Sequence, residues 1–142
     1  MRLSHPRART AAVGFVALLP LGLFALPGGP PEPAPPGTVQ VSIDYDSATG
    51  TLSVSPDPVT VHRRDRVEWG SAAGPWRVVM PSADMPLGPV AHGKGVGAQK
   101  GRHAGASVAA NAKFGTYKYI VALYDGSEVQ ILDPDVIVGP GS

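Results

Sequence analysis

The chain predicts an all-β domain, an antiparallel β-sandwich of about seven short strands, and three observations carry that expectation. Apolar and polar residues alternate from Thr38 onward, turn-favouring residues recur between the alternating runs, and no stretch beyond residue 37 spaces its apolar residues with a helical period.

In TVQVSIDY, residues 38–45, Val39, Val41, Ile43 and Tyr45 take one face and Gln40, Ser42 and Asp44 the other, as in a half-buried strand. Asp46 to Gly50 is a turn, with Ser47, Thr49 and Gly50 supplying the local hydrogen bonding and backbone freedom that turns use. TLSVSP, residues 51–56, resumes the alternation with Leu52 and Val54 until Pro56 and Pro58, which donate no backbone N–H, break it. VTVHRRDRVEW, residues 59–69, holds two short strands, Val59 and Val61 before and Val67 and Trp69 after a turn at Arg63-Arg64-Asp65. PWRVVMP, residues 75–81, is a further strand. Residues 86–105 contain Pro86, Gly88, Pro89, Gly93, Gly95, Gly97, Gly101 and Gly105, a density that predicts irregular structure. ASVAANAKFGTYKYIVALYDGSEVQIL, residues 106–132, yields two or three strands with Tyr117, Tyr119 and Val121 sharing a face, and DPDVIV, residues 133–138, closes the domain.

The first 37 residues follow other rules. MRLSHPRART is basic, and the uncharged apolar run AAVGFVALLPLGLFAL, residues 11–26, has the length of a signal-peptide core rather than of a full membrane span. Residues 1–26 therefore read as a signal peptide or signal anchor: Ala25 offers a small residue for cleavage, while Leu23 departs from the small-x-small pattern. Export to the periplasm or cell exterior follows, with membrane attachment through residues 11–26 if the segment stays uncleaved. Residues 27–37 form a linker, and GGPPEPAPPG, with five prolines in ten positions, is an extended polyproline-like spacer.

Residues 38–142 leave room for one domain of roughly 100 residues and one modest core. They carry nine Lys/Arg against ten Asp/Glu, which lacks the dense one-signed basic face a nucleic-acid binder requires. The charges are unevenly placed, with five basic residues and no acid from Lys94 to Lys118, then Asp125, Glu128, Asp133 and Asp135. The absence of cysteine excludes disulfides, thiolate metal sites and cysteine nucleophiles.

Four segments in order, VTVHRRDRVEW, GPWRVVMPSADMP, GTYKYIV and DPDVIV, resemble the cupredoxins, small blue copper proteins of plastocyanin type, over roughly residues 38–138. That family has a Pro-His-x-Val-Val segment and, near its end, a Gly-x-Tyr-x-Tyr/Phe-x-Cys strand. The resemblance implies a cupredoxin-like, antiparallel Greek-key β-sandwich. It also implies where a type 1 copper site would stand, and this chain offers no ligand there. The family's first histidine falls at Trp76 and its cysteine at Val121. The segment carrying its second histidine and its methionine corresponds to YDGSEVQILD, residues 124–133, which has neither residue type. Blue copper needs two imidazoles and a thiolate with a weak axial thioether, so the resemblance carries fold and not copper chemistry. Trp76 then either fills the space left by metal and imidazole or, with Tyr124, forms a contact surface.

Other chemistry is sparse. His92 and His103, with Met80 and Met85, are the residues from which a copper-carrier site without cysteine would be assembled, and His62 is expected on a solvated strand face beside Arg63 and Arg64. GKGVGAQKG, residues 93–101, lacks the Gly-Lys-Ser/Thr ending of a phosphate-cradling loop and reads as an ordinary loop. No nucleophile elbow, paired carboxylates or H-E-x-x-H arrangement points to an enzyme. The expectation is a non-enzymatic module, without cofactor, that meets an envelope protein or a small ligand, the alternative being a periplasmic copper carrier.

Overall fold

The alternation that begins at Thr38 becomes β1, Thr38–Asp46, with Val41 and Ile43 buried and Gln40, Ser42 and Asp44 exposed. The structure is a computed structural model that describes residues 35–81, 86–88 and 95–141. The signal or anchor segment and most of the linker lie outside the described residues, as do His92, Met85 and Lys94. The described residues contain no α-helix and form β1 and ten further strands: β2 Thr51–Ser55, β3 Val59–Val61, β4 Arg66–Gly70, β5 Trp76–Val79, β6 Gly95–Ala98, β7 His103–Ser107, β8 Gly115–Lys118, β9 Ile120–Tyr124, β10 Val129–Leu132 and β11 Asp135–Val138.

Local chemistry places the early boundaries. The turn after β1 is held by the Asp46 carboxylate, which accepts from the Ala48 N–H at 2.8 Å, and Gly50 takes a φ of 67° that a residue with a Cβ rarely adopts. Between β3 and β4 the buried Asp65 side chain accepts from the N–H of Gly37 and of His62, each at 2.8 Å. The same carboxylate lies 3.3 Å from the His62 imidazole. One side chain thus closes the β3–β4 turn and ties the start of β1 to it.

The strands form three sheets, in the orders β2-β1-β4-β7, β10-β9-β5-β6 and β3-β11-β8. Most neighbours run antiparallel, but β1 pairs parallel with β4 and β11 parallel with β3. A purely antiparallel arrangement of about seven strands is thereby corrected to eleven strands in mixed sheets. Parallel neighbours need a crossover. Here β2 folds back on β1 and β3 joins a different sheet before the chain returns as β4 on the other flank of β1.

The glycine-rich stretch is the second correction. Its described part is not irregular but contains β6 and β7. The glycines stand where other backbones approach: a Cβ on Gly97 would lie 2.5 Å from the Trp76 carbonyl oxygen, and one on Gly105 2.5 Å from that of Val67. Glycine here answers close packing between strands rather than a break in one. GKGVGAQKG is accordingly part strand, since its residues 95–98 are β6, and the chain turns at residues 99–102, where Arg102 N–H donates to the Gln99 carbonyl at 3.0 Å.

Inward-facing residues of all three sheets share one hydrophobic core, with Ile43, Val59, Val61, Val67, Trp69, Val78, Tyr119, Val121 and Val136 fully buried. The rings of Trp69 and Tyr119 meet at its centre, centroids 5.9 Å apart and tilted by 59°. Tyr117, Tyr119 and Val121 all contribute to this core, although Tyr119 itself separates β8 from β9 and donates its N–H to the Pro134 carbonyl at 3.0 Å.

Candidate functional site

The end of the domain singled out by sequence is built from β5, β9 and β10. Trp76 opens β5 and sits between Leu123 of β9 and Ala98 of β6. It is 4% exposed, and its indole N–H donates to the Arg102 carbonyl at 3.2 Å. Val121 is fully buried and stands opposite Val78, one cross-strand pair further along the same inner face. Apolar side chains therefore occupy both positions at which the resemblance would put copper ligands.

Residues 124–133 span the turn and second strand of the β9–β10 hairpin. Its turn is organised by Asp125, whose Oδ1 accepts from the N–H of Ser127 at 2.8 Å, the Ser127 hydroxyl at 2.8 Å and the N–H of Glu128 at 3.0 Å, while Oδ2 accepts from the Gln130 amide at 3.0 Å. Those donors, the backbone of Glu128 foremost, hold the Asp125 carboxyl well below the usual carboxylate range. Desolvation first, and then the neighbouring Asp125, raise the Tyr45 phenol.

Of the four candidate metal ligands the structure describes two, Met80 and His103, and it places one inside the core and the other at the surface. Met80 is fully buried in the core, so its thioether faces apolar neighbours. His103 is exposed on β7, its ring laid over Gly70 so closely that a Cβ there would collide with it. His92 and Met85 lie outside the described residues. Among the described residues no group of three or more His, Cys, Asp or Glu is arranged to hold a metal ion. His62 lies in the β3–β4 turn rather than on a strand face.

A shallow cavity of about 400 Å³ lies on the outer face of the β2-β1-β4-β7 sheet, lined by Gln40, Ser42, Asp44, Gly70, Ser71 and His103 among others. Its floor exists because Gly70 has no side chain and its far wall is the His103 ring. The surrounding face is a hydrogen-bonded polar lattice. Glu68 accepts from Arg66 at 2.9 Å and Gln40 at 2.8 Å, which lowers its carboxyl, and the Ser42 hydroxyl donates to Asp44 at 2.7 Å. These bonds tie the polar groups of that face to one another.

An apolar surface lies on the β9–β10 hairpin. Tyr124 is 45% exposed, and its hydroxyl donates to the Gly126 carbonyl at 2.9 Å, which fixes the ring beside the turn. Directly across from it on β10 is Val129, 58% exposed, and two residues on is Ile131, 68% exposed and opposite Ala122. Of the two residues expected to form a contact surface, then, Tyr124 is at the surface and Trp76 is packed inside. Sequence reasoning missed Val129 and Ile131 because alternation in VQIL predicts the aliphatics inside. The turn sets the register instead: Gln130 reaches Asp125, Leu132 packs on the core, and Val129 and Ile131 are forced outward. The available signal was the YDGSE turn itself, whose length and Asx geometry determine which residues of β10 face β9.

No protein-family model matches this chain, and no curated protein matches it.

Proposed function

We propose that residues 38–142 form a cupredoxin-like Greek-key β-sandwich that works outside the cytoplasm as a non-enzymatic contact module of the cell envelope, meeting a protein or small ligand. Two features support the fold. The first sheet sets its strands out of chain order, β2-β1-β4-β7 with β1 and β4 parallel, and the four family-like segments supply β3–β4, β5, β8–β9 and β11. Trp76, Val121 and Leu123 fill the end where that family keeps its metal, which supports a module freed from copper chemistry. The uncharged run at residues 11–26 behind a basic start supports export, as a cleaved signal or an anchor.

The single observation that carries the contact function is the exposed run of Tyr124, Val129 and Ile131 on one hairpin, in a protein whose β2-β1-β4-β7 sheet presents a polar outer face. A photo-crosslinking residue at position 129, introduced in the producing cell, is expected to give discrete adducts that disappear when Ile131→Asp is added. Adducts unchanged by Ile131→Asp, or stoichiometric copper in the purified protein after mild washing, would refute the proposal.

A further inference from the structure

We infer that the outer edge of β10, with which no strand among the described residues pairs, receives an extended segment of a partner protein, apolar at alternate positions and bearing Lys or Arg at its ends. This rests on the contact-module proposal above and adds the chemistry of the partner.

The backbone supplies the first half of the argument. β10 is the outermost strand of the β10-β9-β5-β6 sheet. The hairpin is closed by the Asp125 N–H donating to the Glu128 carbonyl at 3.1 Å, and beyond it Val129 faces Tyr124, Gln130 faces Leu123, Ile131 faces Ala122 and Leu132 faces Val121. Antiparallel ladders alternate between hydrogen-bonded and non-hydrogen-bonded pairs. Gln130 and Leu132 therefore spend their N–H and C=O groups on β9, whereas those of Val129 and Ile131 point away from it. The Tyr124 N–H obeys the same alternation and donates outward to Pro75 at 2.9 Å. The two residues with outward backbone groups are also those with exposed aliphatic side chains, so an added strand gains main-chain hydrogen bonds and buries both side chains at once. Edges of natural sheets are commonly blunted by Lys, Pro or bulges. Val129, Gln130, Ile131 and Leu132 include no charge and no proline.

Charge supplies the second half, because it decides what the added strand is. The strand is bracketed by acids, Asp125 and Glu128 before it and Asp133 and Asp135 after it. Asp135 is paired with Lys118 at 3.2 Å, and Asp125 is taken up by its own turn. Glu128 accepts from the neutral Gln130 amide at 3.1 Å and has no salt bridge among the described residues, and Asp133 is exposed. A second copy adding its own β10 antiparallel, with Val129 opposite Ile131, would bring Glu128 of each copy beside Asp133 of the other. Like charges would meet at both ends. A segment with basic ends meets opposite charges at both, which steers its approach and sets its register.

The test titrates the 15N-labelled full chain with two peptides, Lys-Lys-Thr-Val-Thr-Ile-Thr-Lys-Lys and its counterpart with Glu for Lys. The basic peptide is expected to shift the amides of Val129 and Ile131, to bind about tenfold more tightly than the acidic one, and to weaken at about 0.5 M salt. Glu128→Lys, at an exposed site, is expected to reduce its affinity about fivefold without moving the unfolding midpoint. Equal affinity for both peptides at β10 would overturn the basic partner while leaving the contact surface standing. No shift at Val129 or Ile131 with either peptide would overturn both, and self-association of the chain through β10 would replace the partner with a second copy.

Discussion

Tyr119 allows the core to be interrogated by pH. Its ring is fully buried against Trp69, and neither its hydroxyl nor the Trp69 indole N–H has a hydrogen-bond partner. Burial pushes the phenol up from 10.0 to about 12, with the nearby Trp69 indole pulling in the opposite direction. For an acid whose folded pKa is raised, the unfolded chain loses the proton first. The stabilising contribution is complete below pH 10 and is lost as pH climbs from 10 toward 12. A hundredfold difference in ionisation corresponds to about 3 kcal/mol across that window. Tyr119→Phe keeps the ring and deletes the ionisable group. Urea unfolding of both proteins at intervals from pH 7 to 12 is expected to show the wild type losing about 3 kcal/mol more than the variant above pH 10. At pH 7 the variant should match the wild type or exceed it by about 1 kcal/mol, a rise of about 4–8 °C in Tm, because an unpartnered buried hydroxyl has been removed. Parallel pH profiles, or a loss of about 1 kcal/mol or more at pH 7, would refute the reasoning and reveal a Trp69–Tyr119 hydrogen bond.

Three further outcomes follow from the same geometry. Gly97→Ala and Gly105→Ala should each cost about 1–3 kcal/mol in denaturant unfolding, since the new methyl meets backbone oxygen at 2.5 Å that yields only if the strands move apart. Asp65→Ala should cost about 3 kcal/mol by the same measurement, stripping the N–H groups of Gly37 and His62 of a charged acceptor, whereas Asp65→Asn should retain part of it. Asp125→Ala should loosen the hairpin, read as faster amide exchange in β10. In the wild type the same loosening should begin as pH falls below about 3.8 and deepen with further acidification, because a depressed carboxylate stabilises fully above its unfolded pKa and loses that contribution as pH falls through the folded one.

Much of the fold was legible residue by residue. The alternation in TVQVSIDY, the turn at Asp46 to Gly50 and the paired valines either side of Arg63-Arg64-Asp65 all report on contacts between near neighbours, and all form as the pattern requires. The glycine stretch was misjudged because sequence records that a residue has no Cβ without recording what approaches it. Trp76 and Tyr124 looked alike as aromatic candidates for one surface, yet the first is covered by Leu123 and Ala98 and the second by nothing opposite larger than Val129.

By itself, then, the sequence determined an all-β chain behind a basic, apolar start, the turns between its first strands, and the lack of any cysteine. These depend on side-chain type and on spacing of two to four residues, over which the backbone has few options. The tertiary structure decided the parallel pairing of β1 with β4, the need for glycine at 97 and 105, and the outward turn of Val129 and Ile131. Each of those is a contact between segments distant in the chain or a register passed along a hairpin, and such choices are made by packing, not by the local pattern.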